Sequence, residues 1–127
     1  MKTSFGAFSL FSVGTNIDVT GFGIDPTTVE FFAGPRNGSS AFTQDYKGFV
    51  DETGYQGASS LFDDGTHVEN LDFYSNDRCI YIREFVGGVW VTRVHAVFGS
   101  FITDGIRFSS VIAADSNFPI WANAFEL

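Results

Sequence analysis

The sequence predicts an all-β fold, a single antiparallel β-sandwich or jelly-roll-like domain of about seven or eight strands. Sixteen Phe and fourteen Gly favour strands and turns, and leucines and lysines that would favour helices are few. Several short segments alternate apolar and polar residues, and glycine-containing turn signals separate them. The chain has 127 residues, which fits one domain covering residues 1–127.

The first half of the chain predicts three strands, at Phe5–Val13, Val29–Ala33 and Ala41–Val50. Turn residues at Gly21–Pro26 and Gly34–Ser40 separate them. The first segment faintly suggests a signal peptide, but glycine and serine interrupt its apolar run and no clean cleavage site follows. A first strand is therefore the preferred interpretation.

The middle of the chain gives weaker signals. The glycine-rich, polar segment Asp51–Gly65 is expected to form a long loop or an irregular edge strand. The segment Thr66–Ser75 is the best helix candidate, but it is barely long enough and its apolar spacing is ambiguous.

The second half predicts a three-stranded meander from Cys79–Phe85, Val89–Phe98 and Gly105–Ile112, with turns at Gly87-Gly88 and Thr103–Gly105. Strict alternation in the middle strand places Arg93 and His95 on the same half-polar face. A closing strand at Phe118–Leu127 follows a loop at Ala114–Asn117. Phenylalanines in or beside the strands are expected mostly in the core: Phe5, Phe8, Phe11, Phe31, Phe32, Phe98, Phe101, Phe108 and Phe125.

The stretch TGFGIDPTTVEFFAGPRNG, Thr20 to Gly38, contains glycines and an aspartate that could suggest a ligand loop. It lacks the third glycine and the following helix that a phosphate-binding loop requires. Gly21 and Gly23 permit a tight turn, Pro26 fixes the backbone, and a strand follows. We expect a structural corner.

The charge argues against nucleic-acid and membrane partners, and the cysteine content excludes an intrachain disulfide. The formal net charge is −8, so the chain lacks the basic footprint that nucleic acids and anionic membranes require. No stretch approaches the roughly 18 apolar residues of a membrane helix. Cys79 is the single cysteine, so no intrachain disulfide forms, whereas an interchain bridge stays open.

No motif for catalysis is present, and the chain is expected to be a non-enzyme. A glycan-cleaving pair of carboxylates is a weaker alternative, since nothing selects two of the fifteen. His67 lies in a loop, and His95 is expected to be structural. No cofactor is expected. The acidic residues Asp63, Asp64, Glu69 and Asp72 could bind calcium, although an ordinary turn is the preferred interpretation.

Four aromatic residues are candidates for a surface that stacks on sugar rings: Tyr46, Tyr55, Tyr74 and Trp121. Ordinary packing at the rim of the sandwich is the simpler explanation for them. Trp121, in the last strand, could instead face a neighbouring subunit. The alternative function is therefore a carbohydrate-binding, lectin-like module that uses loop aromatics.

Several segments, taken in order, resemble a β-sandwich domain of bacteriophage and prophage virion proteins, including minor tail, tail-fibre and head-decoration proteins. The segments are SFGAFSL, VTGFGIDPTTVEFFAG, GFVDETGYQGASS, the lone CI, VHAVFGSFITDGIRFSS and a terminal PIWANAFEL. The shared theme is a glycine-bracketed turn before Pro and a strand, then a Gly-Phe-x-Asp segment, then an Asp-Gly hairpin before a closing strand.

The resemblance implies a non-enzymatic structural protein of the virion, assembled in the bacterial host cytoplasm. It implies no catalytic residues, and it implies contacts with other virion proteins and with further copies of the chain, often as a trimer. A single domain without a shaft segment suits an accessory tail component or a capsid-decorating protein. Attachment to a host-surface glycan would join this function to the alternative one.

Overall fold

A computed structural model describes residues 1–10, 13–35, 41–74, 76–113 and 118–127. The described residues form ten β-strands and no helix long and apolar enough to span a bilayer. In chain order the strands are β1 Lys2–Phe8, β2 Ile17–Thr20, β3 Thr28–Ala33, β4 Thr43–Val50, β5 Gln56–Asp63, β6 Val68–Phe73, β7 Ile80–Val86, β8 Val89–Ile102, β9 Gly105–Ala113 and β10 Ile120–Glu126.

The strands form two antiparallel sheets. One sheet has six strands in the order β1-β10-β3-β4-β5-β6, and the other has four in the order β2-β9-β8-β7. The two ends of the chain pair with each other in both sheets, as β1 with β10 and β2 with β9. Next to β10 the first sheet continues with β3, β4, β5 and β6 in sequence order, and the second sheet continues from β9 to β8 and β7. The predicted all-β antiparallel sandwich is confirmed, with ten strands in place of seven or eight.

Two segments in the middle of the chain differ from the expectation. The predicted loop or irregular edge strand at Asp51–Gly65 is a short turn followed by β5, which lies inside the sheet between β4 and β6. Its inward positions include Gln56, Ala58 and Ser60, so the buried face carries no apolar alternation. The helix candidate Thr66–Ser75 contains the strand β6, and Ser75 itself lies outside the described residues.

The ends of the chain differ in detail. The first strand runs from Lys2 to Phe8 instead of Phe5 to Val13, and β2 was not anticipated. The strands β3, β4, β7, β8, β9 and β10 lie within or overlap the segments expected for them. The predicted turn containing Asn37-Gly38 and the loop at residues 114–117 fall outside the described residues, as does Phe11.

The corner at Gly21 to Pro26 is held by Asp104, from the turn between β8 and β9. The backbone N–H groups of Gly21 and Gly23 donate to the Asp104 carboxylate at 2.9 and 2.5 Å, and Phe22 N–H donates to the Asp104 carbonyl at 3.1 Å. Both glycines have positive φ, 95° and 75°. The prediction of a structural corner is confirmed, because these amides bind a side chain of the protein itself.

The core lies between the two sheets and is rich in phenylalanine. Phe31, Phe108 and Phe118 are fully buried, and Phe8 packs against the first two with ring centroids 6.2 and 6.4 Å away. The chain just before β7 approaches β4 closely at Gly48. There a Cβ on Gly48 would overlap the backbone carbonyl of Cys79, so this position requires glycine.

The edge strand β7 is covered on both faces. On one face Ile80, Ile82 and Glu84 point into the core and are buried. Residues of β6 and the turn before it cover the other face through three side-chain pairs: Phe73 with Tyr81 (ring centroids 4.8 Å apart), Glu69 with Arg83 (Oε1 to Nε, 2.7 Å) and His67 with Phe85 (ring centroids 3.6 Å apart). Because β4 contacts one face and β6 the other, the six-stranded sheet curls around the edge of β7.

Candidate functional site on the outer face of the six-stranded sheet

The face of the six-stranded sheet that points away from the core carries a group of exposed aromatic side chains. Phe5 on β1 is 66% exposed and Trp121 on β10 is 44% exposed, and their rings stack with centroids 5.3 Å apart and an interplanar angle of 13°. Ala7 and Phe32 lie directly opposite Trp121 on the two neighbouring strands. We call Phe5, Ala7, Phe32 and Trp121 the aromatic patch.

A second group of aromatic residues lies on the same face at the other end of the sheet. Phe49 and Tyr55 are in contact, with ring centroids 5.9 Å apart, and the Tyr55 hydroxyl donates to the backbone carbonyl of Tyr74 at 2.8 Å. Tyr74 is 69% exposed and, with Lys47 and Phe49, borders a shallow depression. We call Phe49, Tyr55 and Tyr74 the tyrosine cluster.

The two groups belong to one continuous surface. The strand register aligns one outer-face residue from each of five adjacent strands, in the order Trp121, Phe32, Lys47, Ser59 and Asp72. Neighbouring strands are about 4.8 Å apart, so this row spans roughly 19 Å. A ligand or a protein partner lying across the strands would contact both the aromatic patch and the tyrosine cluster.

Three of the four aromatic candidates from the sequence lie on this face: Tyr55, Tyr74 and Trp121. Tyr46 does not, because it is 2% exposed and its ring packs against Phe118. Its hydroxyl donates to the carbonyl of Arg83 at 2.6 Å, and burial raises the pKa of Tyr46. Gln44, two residues earlier on β4, points to the same face and is also buried. Because Gln44 is polar, the sequence shows no alternation of apolar residues that would have identified Tyr46 as a core residue.

Two members of the aromatic patch, Phe5 and Phe32, were expected in the core, and this expectation is wrong. Phe31 and Phe32 are adjacent on β3, and successive side chains of a strand point to opposite faces. Since Phe31 occupies the core, Phe32 must point outward. That adjacency was a signal in the sequence from which one exposed phenylalanine could have been predicted.

The four acidic candidates for calcium lie in different environments. Asp63 accepts from Gly65 N–H at 2.7 Å, and Asp64 accepts from His67 N–H at 2.6 Å and from Thr66 N–H, so both stabilise the β5–β6 turn. The same backbone hydrogen bonds lower the pKa of Asp64. Glu69 pairs with an arginine on β7, and Asp72 lies on the outer face. Within the described ranges no three His, Cys, Asp or Glu residues are grouped so that they could hold a metal ion.

A buried polar cluster lies inside the sandwich, between β4 and the β7–β8 hairpin. Glu84 is 2% exposed; its Oε1 accepts from Arg93 Nε at 2.8 Å and its Oε2 accepts from Gln44 Nε2 at 2.7 Å. Gln44 Nε2 also lies 3.0 Å from the Tyr46 hydroxyl. The hydrogen bonds satisfy these buried polar groups, and the cluster fixes how the two sheets meet.

A β-bulge in β8 makes this cluster possible. It also places Arg93 and His95 on opposite faces of the strand, whereas strict alternation would place them on the same face. Val94 lies opposite Ile82 while Thr92 lies opposite Arg83, so Arg93 is the extra residue. The bulge lets Arg93 reach Glu84 on the core side, whereas His95 packs against Tyr81 on the other face. The prediction that Arg93 and His95 share a face is therefore wrong.

His95 occupies a partly buried position on that second face. Its Nε2 atom is buried and has no hydrogen-bond partner among the residues that the structure describes. Burial is the main cause that lowers the pKa of His95, and the positive charge of nearby Arg78 lowers it further. A neutral imidazole packed edge-on against Tyr81, with ring centroids 5.4 Å apart, fits the structural role expected from the sequence.

Comparison of the chain with protein-family models, with curated proteins and with solved structures finds no match. The chemistry available at the outer face is that of binding. Exposed aromatic rings supply apolar area and stacking surfaces, and Lys47 and Asp72 beside them supply one charge of each sign.

The buried cluster gives a direct prediction for stability. Replacing Glu84 with Ala leaves the partly buried Arg93 without its carboxylate partner, which we expect to lower the free energy of unfolding by about 3 kcal/mol. The matched control is Asp18→Ala, which removes the exposed pair between Asp18 and Arg107 and should leave stability unchanged within error. Urea unfolding followed by circular dichroism measures both. Equal, small effects of the two substitutions would contradict a structural role for the buried pair.

Proposed function

We propose that this chain is a non-enzymatic structural protein of a bacteriophage virion, an accessory tail component or a capsid-decorating protein. It acts through protein–protein contacts that its outer face makes with other virion proteins. The main support for a contact surface on this face is the aromatic patch, in which the exposed rings of Phe5 and Trp121 stack on each other. The virion setting is supported by the sequence resemblance described above.

The composition of the patch favours a protein partner. Phenylalanine and tryptophan are enriched at the centres of protein interfaces, where burial of their rings supplies most of the binding free energy. Phe5 and Phe32 carry no polar atom that would gain from contact with water. The stacked ring of Trp121 is already ordered by Phe5 and by its neighbours on β1 and β3, so binding orders little further.

Charged groups stand beside the aromatic patch. On the outer face Lys47 lies directly opposite Phe32 on β4, and Glu30 lies two residues before Phe32 on β3. Lys47 pairs with Asp45 at 3.6 Å. The formal net charge of −8 makes acidic partners repel the chain, so a partner surface without excess negative charge suits this contact.

Many copies on a particle strengthen such a contact. A symmetric particle presents the same site repeatedly, so individually weak contacts add up when several copies are linked. The resemblance implies a homo-oligomer, often a trimer, assembled in the bacterial host cytoplasm. In that setting no cofactor is required for the contact.

A second candidate function is recognition of a host-surface glycan. The observation that favours it is the position of Tyr74, exposed at the edge of a depression that Lys47 and Asp72 also line. Flat aromatic rings stack on the apolar faces of pyranose rings, and charged or polar neighbours bond to their hydroxyls. Tyr55 orders this end of the surface through its hydrogen bond to the Tyr74 carbonyl.

The virion proposal predicts that Trp121→Ser removes the protein from particles. Loss of a central aromatic contact at an interface is worth about 2 kcal/mol, so the copy number on purified particles should fall by roughly 30-fold at subsaturating protein. Mass spectrometry of particles from a producing strain measures it. The control is Val89→Ser, an exposed substitution on the β7–β8 hairpin, which should leave the copy number unchanged. Particles that never contain the chain, or that retain Trp121→Ser at full copy number, would refute the proposal.

The glycan candidate predicts binding that depends on Tyr74 and not on Val89. On a glycan array with calcium present, Tyr74→Ala should weaken a positive signal about tenfold, because one stacking contact is lost. Val89→Ser again serves as the control. An array that stays blank for the unmodified protein would remove this candidate and leave the virion proposal untouched.

A further inference from the structure

The two sheets have four edge strands, β1 and β6 in one sheet and β2 and β7 in the other. An edge strand presents unpaired backbone N–H and C=O groups, so it can pair with a strand of another chain. Natural proteins protect such edges by keeping them short, by placing charges on them or by covering them. The four edges of this protein can be compared on those grounds.

Three of the edges are protected. The strand β2 has four residues and carries the exposed ion pair of Asp18 with Arg107. The strand β6 carries Glu69 and Asp72, one on each of its faces. The strand β7 is covered, since the six-stranded sheet curls around its edge and packs β5 against it.

Among the described residues, the edge at β1 has none of this protection beyond one lysine. It has seven residues, most of them exposed, and its register with β10 is continuous, without a bulge. It contains no proline. Its single charged side chain, Lys2, stands at one end and pairs with Glu126 of β10 at 3.4 Å. Of the strands that the structure describes, only β10 pairs with β1.

We infer that β1 pairs with β1 of a second copy of this chain, in antiparallel orientation. Full overlap of the two strands places Phe5 opposite Phe5 of the second copy, where two aromatic side chains form a favourable cross-strand pair. It places Thr3 opposite Ala7 and Ser4 opposite Gly6. The pairing joins the two six-stranded sheets into one continuous sheet.

The charge distribution favours a second copy of this chain as the partner of β1. A chain with a net charge of −8 repels its own copies wherever carboxylates meet. The strand β1 carries no carboxylate, and full overlap puts Lys2 opposite Phe8, so no like charges face each other across the contact. The edge at β6, which is of similar length, would bring its own carboxylates close to those of the second copy.

This pairing goes beyond the proposed function. It uses the backbone edge of β1 and one outer-face contact, between the two Phe5 side chains, so the aromatic patches of the two copies lie side by side and together form one larger surface for a partner. It is a twofold contact and therefore forms pairs, whereas the trimer implied by the resemblance would need a different interface. Self-association of the purified chain tests the pairing, and incorporation into particles tests the proposed function, so failure of either can be distinguished.

Sedimentation equilibrium of the purified chain, from about 1 μM to about 1 mM, is the first test. We expect the mass to double across this range, and we expect tighter association at higher salt, because salt screens the repulsion between acidic copies. A single monomeric mass at all concentrations would overturn the inference, as would a trimer without a dimer.

Charge substitutions at Phe5 test the register. Phe5→Lys and Phe5→Glu each place two like charges opposite one another, so each variant alone should stay monomeric, while an equimolar mixture should restore the dimer. The matched control is Val68→Lys on the edge strand β6, which should dimerise as the unmodified chain does. Phe5 is exposed, so circular dichroism should show that all variants remain folded. A dimer that persists in the Phe5 variants, or a mixture that stays monomeric, would overturn the inference.

Oxidative crosslinking gives an independent measurement. Directly opposed residues of antiparallel strands lie at a separation that suits a disulfide, so Phe5→Cys should form a covalent dimer rapidly. The native Cys79 is buried and its pKa is raised by burial, so it does not compete. Val68→Cys is the control. Crosslinking of Phe5→Cys no faster than that of the control would contradict the pairing.

Discussion

The structure depends on the enclosure of β7. One face of this strand packs into the core through Ile82 and its neighbours, and Glu84 on that face joins Gln44 of β4. The other face pairs Arg83 with Glu69 of β6. A single strand is thus bound by two parts of the same opposing sheet. This arrangement requires the sheet to curl, and the curl closes one side of the sandwich.

Closing one side leaves the opposite side open. There β1 and β10 form the end of the six-stranded sheet, with the stacked rings of Phe5 and Trp121 on the outer face and the unpaired backbone of β1 at the edge. The aromatic patch and the unprotected edge therefore lie together, away from the covered strand. We regard this separation as the physical basis of the proposed contacts, since the closed side provides rigidity and the open side provides contact surfaces.

Much of the fold could be predicted from the sequence where alternation is simple. The strand β3 and the β8–β9 hairpin follow from apolar residues at every second position and from the Asp-Gly turn between β8 and β9. Prediction failed at β5, since its buried positions hold Gln56 and Ser60, whose polar groups are satisfied in ways that the sequence does not reveal. It failed at Arg93 because a bulge shifts the alternation by one residue.

The candidate site was predicted only in part. Tyr55, Tyr74 and Trp121 were candidates for a surface that stacks on sugar rings, but their position on one sheet face depends on strand order, which a single sequence does not determine. Phe5 was assigned to the core because phenylalanine is usually buried. Its exposure follows from the place of β1 at the end of the sheet, where no further strand or loop among the described residues covers the outer face.

Amide hydrogen exchange tests the central claim, that β7 is enclosed although it is an edge strand. At low protein concentration the amides of Ile82 and Glu84 should exchange only through global unfolding, as slowly as those of β3, whereas the outward-facing amides of β1 should exchange far faster. Protection of β7 no greater than that of β1 would contradict the enclosure on which the account depends.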